Sequence, residues 1–221
     1  MTKAYIGMGM EGWVARWYEK NTAKDMREFC RLADRIAGLV SAGSAVLEVA
    51  PGPGFLSVEL AKRGLAVTGL DISKTFVALA RNNAENSGVD VRFEQGNASK
   101  MPFADQSFDF LVSRAAFKNF ADPVGALREM HRVLKPGGRG LIIDLRRDAS
   151  MADIATYVDG LEVSWPNRLF MKLVFRYLLL PRAWRADAFA KMLEQIPFGN
   201  AEIIPNAIGM EVWLTTSNIR R

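Results

Sequence analysis

An α/β fold, with a mostly parallel sheet and helices on both faces, is predicted by three observations. Apolar runs of strand length alternate with helical patterns along residues 44–146, the order that builds βαβ units. The first run ends in a glycine-bearing turn that opens directly into a helix, over Ala50, Gly52 and Gly54. The chain has 221 residues, 49% of them hydrophobic, which suits one such sheet with additions.

The elements follow in order. Val46 to Ala50 reads as a buried strand, Ala50 to Gly54 as a tight turn and Phe55 to Arg63 as a helix. Leu65 to Asp71 is the second strand. Ser73 to Asn86 is a helix with apolar spacing through Phe76, Val77, Leu79 and Ala80. Val89 to Glu94 forms the third strand and Ser107 to Ser113 the fourth. Pro123 to Leu134 is a helix closed by the stretch Lys135 to Gly138, and Leu141 to Asp144 is the fifth strand. Upstream, residues 24–41 form an amphipathic helix presenting Met26, Phe29, Leu32, Ala33 and Ile36. Downstream, Ala201 to Pro205 and Met210 to Thr216 are two strands joined near Gly209.

The first turn carries the chemistry. Gly52 and Gly54 lack a Cβ where the backbone must bend and where a ligand can come close. The helix after them presents unpaired N–H groups toward that ligand. Asp71 ends the next strand, with Ile72 beside it, placed to accept hydrogen bonds from a ribose. These features define a nucleoside-cofactor site. A dinucleotide fingerprint wants a third glycine where Ser57 stands. Glu48 would repel a pyrophosphate and attract an ammonium group.

Glu48-x-Ala50-x-Gly52-x-Gly54 resembles the first motif of the class I S-adenosylmethionine-dependent methyltransferases, with Ala50 in place of the usual first glycine. Asn97 and Ala98 stand where family members commonly carry an acid and alanine that hold the adenine, and the Asn97 amide oxygen can accept the same bond. Met101 to Phe103, and Arg132 through Gly138, are similar to the ubiquinone/menaquinone C-methylase-like branch. The resemblance covers roughly residues 44–146. It implies a Rossmann-like seven-stranded sheet whose last strand is antiparallel, and S-adenosyl-L-methionine as cofactor. It implies cofactor contacts from Glu48, Ala50, Gly52, Gly54, Asp71, Ile72, Asn97, Ala98 and Arg114.

Around this core (44–146), three accessory segments are expected to choose the substrate. Residues 1–42 are expected to form a helical lid: Gly7, Gly9 and Gly12 make its start pliable, Trp13 and Trp17 share a helical face, and Tyr18 approaches the cofactor's methionine part. The other reading is a surface helix docking its aromatics on the core. Residues 147–198 form a helical cap inserted before the closing strand pair, 200–217. Within it Asn167 to Leu180 reads as a helix between Pro166 and Pro181, with Arg168, Lys172 and Arg176 in one stripe and apolar residues nearly everywhere else. Such a helix is expected to be a cap with its basic stripe in solvent, or else to touch an apolar ligand, a partner or a membrane surface.

Acceptor contacts are expected from Trp13, Trp17, Phe117 and Trp165. Asp144 is the candidate for taking a proton, with a solvated strand-end acid or a partner of Arg146 as its other reading. Lys118 is the candidate for meeting an anionic group. His131, the only histidine, is expected to be structural, because its helix runs away from the site. Methyl transfer from a sulfonium to a small, partly hydrophobic acceptor needs alignment more than a catalytic side chain. A cofactor-binding protein without methyl transfer, or a nicotinamide-dependent oxidoreductase, are the alternatives.

Charge and composition bound the partners. The basic residues are mixed with Asp and Glu along most of the chain, and no basic arm with interleaved aromatics occurs, which disfavours nucleic acid. Trp165 to Arg185, with five basic residues and no acid, matches the whole net charge of +5. One cysteine, Cys30, cannot form an intrachain disulfide, and its helical setting suggests a small buried hydrophobe. With an N-terminus lacking the apolar run of a signal peptide, a reducing cytoplasm is the expected compartment. The pattern shows no metal-ligand cluster and leaves monomer or homodimer open.

Overall fold

A computed structural model describes residues 5–6, 9–160 and 165–218. Gly7 of the expected lid lies outside the described residues. The sheet has seven strands: β1 (Ala45–Val49), β2 (Ala66–Asp71), β3 (Arg92–Gln95), β4 (Phe108–Arg114), β5 (Leu134–Leu145), β6 (Asn200–Pro205) and β7 (Gly209–Thr215). Their order is β3-β2-β1-β4-β5-β7-β6, parallel except for β7, which runs antiparallel to both neighbours. The expected architecture is therefore the observed one. β1 is flanked on both sides, Glu48 sitting opposite Gly69 of β2 and Val112 of β4. The strand order reverses direction between β1 and β4, which opens a crevice at their carboxyl ends.

Two apolar layers fix this arrangement. On one face α2 (Met26–Ala37) and α3 (Phe55–Lys62) bury Phe29, Leu32, Ile36, Leu56 and Leu60 against Val46, Val67 and Phe110. On the other, α5 (Pro123–Val133) and α8 (Ala186–Leu193) bury Leu127, Met130 and Phe189 against Leu47, Leu111 and Val212. α4 (Lys74–Asn86) adds Val77, Ala80 and Ala84 against Phe93. Two of these helices begin on a local signal. The Ser73 hydroxyl accepts the Phe76 N–H of α4, and the Asp122 carboxylate accepts the Gly125 N–H of α5.

Two elements differ from expectation. The stretch Lys135–Gly138 is not a turn outside the sheet: α5 ends at Val133 and the chain is extended from Leu134, which is buried and pairs with Phe108. The glycines instead accommodate a register shift in β5, where Gly137 has φ +73°. The expected helix 167–180 starts earlier, as α7 (Trp165–Val174), continues as a wide π turn over Phe175–Leu179 and closes in a 3₁₀ turn, Leu180–Arg182. Met171, Phe175 and Leu180 pack on the same small cluster at steps of four and then five residues, and the wide turn absorbs the extra residue. That cluster also contains Ile154 and Val158 of α6 (Met151–Asp159). No helix among the described residues is long and apolar enough to cross a membrane.

Candidate active site

At the carboxyl ends of the strands lies a cavity of about 630 Å³. β1 and its turn contribute Val49, Ala50 and Gly52; β2 and the following residues contribute Leu70, Asp71, Ile72 and Ser73. Gly96, Asn97 and Ala98 follow β3; Arg114 ends β4, and Lys118 and Phe120 follow it. The N-terminal segment supplies Tyr5, Met10, Glu11, and, from α1 (Gly12–Thr22), Val14, Trp17 and Tyr18. Leu145, Leu179 and Arg182 complete the wall.

The turn is shaped by its backbone. Gly52 has φ +57°, and a Cβ there would meet only the Tyr18 ring, at 3.9 Å, so its bare backbone faces open cavity. Ala50 holds φ +59°, a left-handed conformation that costs a side-chain-bearing residue about 1–2 kcal/mol. Such strain persists at this turn because β1 and the Ala50 N–H bond to Leu70 O fix the chain on both sides. Gly54, φ +78°, serves packing rather than ligand access. It is absent from the cavity wall, and a Cβ there would fall 2.8 Å from that of Ala80 and 2.9 Å from the Phe93 ring.

Glu48 also departs from its expected place. It is fully enclosed one residue behind the lining, and both the hydroxyl and the backbone N–H of Ser57 donate to it. It thereby caps α3 from strand β1, so the Ser57 N–H of that helix's first turn meets the Glu48 carboxyl group rather than the cavity. Burial without a paired cation raises its pKa to about 7, with Ser57 and Arg114 opposing the rise and Asp71 adding to it. Asp71 accepts N–H bonds from Gly52 (3.0 Å) and Ser73 (2.9 Å). Burial still raises its pKa to about 6.

These shifts set a pH dependence. A carboxyl whose folded pKa exceeds its unfolded value binds protons more tightly when folded, so its stabilisation falls as pH rises between the two values. For Glu48 that window runs from 4.5 to about 7, and for Asp71 from 3.8 to about 6. Glu48→Gln should therefore gain on the wild type between pH 5 and pH 8, by on the order of 3 kcal/mol at most in urea unfolding. Equal pH slopes in the two proteins would contradict the protonated, buried Glu48.

The two residues expected to do chemistry hold each other. Asp144 is not a cavity-lining base, nor does it pair with Arg146. Its carboxylate accepts from the Lys118 ammonium (2.8 Å), the Lys118 N–H (2.9 Å) and the Leu145 N–H (2.7 Å). Arg146 turns to Asp148 and Asp153. Lys118 does line the cavity, with a second bond to Ala115 O (2.7 Å). Arg114 lines it too, its guanidinium bonded to Glu28 (2.8 Å) and lying over the Phe29 ring. The Asn97 side-chain oxygen accepts the Ser99 N–H (2.9 Å), leaving its second lone pair.

Of the expected acceptor contacts, only Trp17 reaches the cavity wall. Phe117 is fully buried in the core against Phe120 and Phe189, because the turn after β4 aims it away from the crevice. Trp13 and Trp165 face outward, both more than three-quarters exposed. His131 contacts Pro197 O and the Phe198 ring, away from the cavity. Cys30 is half-buried, its thiol donating to Glu59 at 3.4 Å, so it is not the purely apolar packing residue expected.

Sequence reading expected the N-terminal segment over the site but missed the contacts that strap it down. The Tyr5–Phe120 bridge and the Ile6 N–H bond to Asn119 O fasten one end. At the other, the Glu11 carboxylate accepts the N–H groups of Lys74 and Thr75, and Ser73 donates to Met10 O. Burial works against the Glu11 charge, but the bonds from Thr75 outweigh it and lower its pKa. No local pattern could reveal a cap supplied from 63 residues away.

Residues 47–142 match the model of a methyltransferase domain. The chain is 38% identical over 169 residues to a demethylmenaquinone methyltransferase of Chlorobaculum parvum, across 72% of this chain and 68% of that one. A demethylmenaquinone methyltransferase of Chlorobaculum tepidum is 37% identical, across 72% and 67%. Among solved structures, a candidate S-adenosyl-L-methionine-dependent methyltransferase of Methanococcus maripaludis shares the fold, with TM-score 0.75 and 20% identity over 96% of each chain. The chain belongs to the class I S-adenosylmethionine-dependent methyltransferases. It is an enzyme whose methyl donor is S-adenosyl-L-methionine, and the nicotinamide reading is set aside. The cavity suits that donor: a bare-backbone turn at Gly52, an oriented carboxylate at Asp71 and an apolar Ile72 border one space.

Proposed function

We propose that this enzyme methylates a small, largely apolar aromatic acceptor of the demethylmenaquinone kind, by in-line displacement. One observation carries this reading: beyond the nucleoside-facing residues, Val14, Trp17, Phe120, Leu145 and Leu179 make much of the wall apolar, with Arg114, Lys118 and Arg182 as its cations. The names of the Chlorobaculum relatives point to the same acceptor class. The donor supplies a sulfonium-bound, electrophilic methyl group. Asp71 holds the ribose, Ile72 and Ala98 the adenine with Asn97, and the Gly52 turn the amino-acid end beside Tyr18. Glu48 acts behind that turn by fixing α3.

Orientation and exclusion of water do most of the work in this reading. The strap of Met10 and Glu11 and the Tyr5 bridge close one side of the cavity. Burial, with the Asp71 charge, raises the Tyr5 pKa against the pull of Arg182, so the phenol stays protonated at neutral pH and can donate. Lys118 uses two of its three N–H bonds on Asp144 and Ala115, leaving one for an anionic oxygen of the acceptor. A cytoplasmic setting accords with the single cysteine.

The test is a methyl-release screen with labelled donor over reduced quinones, phenols, amines, carboxylic acids and tRNA. Turnover is expected on hydroquinone rings carrying an apolar tail, with the label on the aromatic product. Donor binding without turnover on any such ring, or preferred turnover on tRNA, would overturn the reading.

A further inference from the structure

The stretch from Trp165 to Arg185 carries an apolar surface that nothing in the described structure covers. α7, the π turn and the 3₁₀ turn after it pack inward through Met171, Phe175 and Leu180 respectively. Turned away from that contact are Trp165, Leu169, Phe170, Leu173, Tyr177 and Leu178, between 47 and 77% exposed. Scattered exposed apolar residues are ordinary, but six on one short element form a patch. Leu169, Leu173 and Tyr177 follow Trp165 at steps of four, so they share one arc of the helix.

Cations flank this arc. Arg168, Lys172 and Arg176 also recur at steps of four, and Arg182 and Arg185 follow, with no acidic residue between 165 and 185. Lys172 pairs with Asp159 of α6, which tethers the base of the stripe. Aromatic and leucine side chains bordered by arginine and lysine are what a helix lying in a headgroup layer presents. A second copy of this chain fits poorly: a two-fold contact would set like-charged stripes against each other.

The patch is also continuous with the active site. Leu179 and Arg182, at its C-terminal end, line the cavity, as does Trp17, itself mostly exposed on α1. We propose that α7 and its π turn dock this enzyme on an anionic lipid bilayer, with the apolar arc among the headgroups and the arginines on lipid phosphates. The cavity mouth then opens beside the lipid. That an acceptor enters from the bilayer rests on the acceptor reading above; the docking does not.

The experiment is co-sedimentation with phosphatidylcholine vesicles, with and without phosphatidylglycerol, at low and high salt. The full chain is compared with Phe170→Glu/Leu173→Glu and with Arg176→Glu, their folds checked by circular dichroism. Binding to the phosphatidylglycerol vesicles is expected, falling with salt and weakened about tenfold or more in the double variant. No binding to anionic vesicles at low salt, equal binding to neutral ones, or full binding by the folded double variant would overturn the proposal. So would a concentration-dependent dimer that the double variant abolishes without any vesicle binding. Turnover of a water-soluble hydroquinone without vesicles is read separately, so failure of docking and failure of the acceptor reading are distinct results.

Discussion

Asp71→Ala is expected to weaken binding of S-adenosylhomocysteine by at least about 100-fold in titration calorimetry. The Asp71 carboxylate is held by the N–H groups of Gly52 and Ser73, which fixes its orientation and leaves lone pairs toward the cavity. Each charge-assisted hydrogen bond to a ribose hydroxyl contributes roughly 1.5–3 kcal/mol, so losing two exceeds the 2.7 kcal/mol or so that corresponds to 100-fold. The variant also strands the Gly52 and Ser73 N–H groups and loosens the turn. Asp71→Asn, which keeps one acceptor oxygen, should fall between the two. An affinity within about fivefold of wild type in a folded Asp71→Ala protein would remove Asp71 from the nucleoside site.

Gly54→Ala is expected to cost about 4 kcal/mol in urea unfolding. Two effects add. The left-handed backbone, φ +78°, penalises any Cβ by roughly 1–2 kcal/mol. The new methyl also lands 2.8 Å from the Ala80 Cβ and 3.2 Å from its Cα, on a helix backbone that cannot step aside without disturbing α4. Overpacking of that kind costs about 1–3 kcal/mol. Gly64 is the control. Its φ is +76° with nothing within 4 Å of a Cβ, so Gly64→Ala should show the conformational cost alone. Equal losses at Gly54 and Gly64 would mean that the close approach of α3, α4 and β3 carries no energetic weight.

Gly54 shows one reason read correctly and one misplaced. The backbone bend that needs a glycine is there, φ +78°, but the missing Cβ lets α4 and Phe93 approach rather than a ligand. Glu48 is a parallel case. An acid at the end of β1 was legible as functional, yet its bonds go to Ser57, nine residues on, through a helix start whose orientation only packing defines. Asp71, Ile72, Asn97 and Ala98 were placed correctly beside the cavity because each ends or closely follows a strand, and the carboxyl ends of parallel strands lie along one edge of the sheet. Asp144 and Phe117 obey the same rule in sequence and break it in space. Lys118 captures Asp144, and the turn after β4 sends Phe117 into the core.

Apolar periodicity and glycine turns in this chain determined a parallel α/β core and a nucleoside crevice, because both follow from contacts within βαβ units. Tertiary structure alone decided which groups meet there. Glu11 caps a helix 63 residues away, Lys118 neutralises Asp144, and the apolar side of α7 is left facing solvent. Those outcomes depend on distances between separately folded elements, and side-chain charges and apolar faces act over a few ångströms in space whatever their separation along the chain.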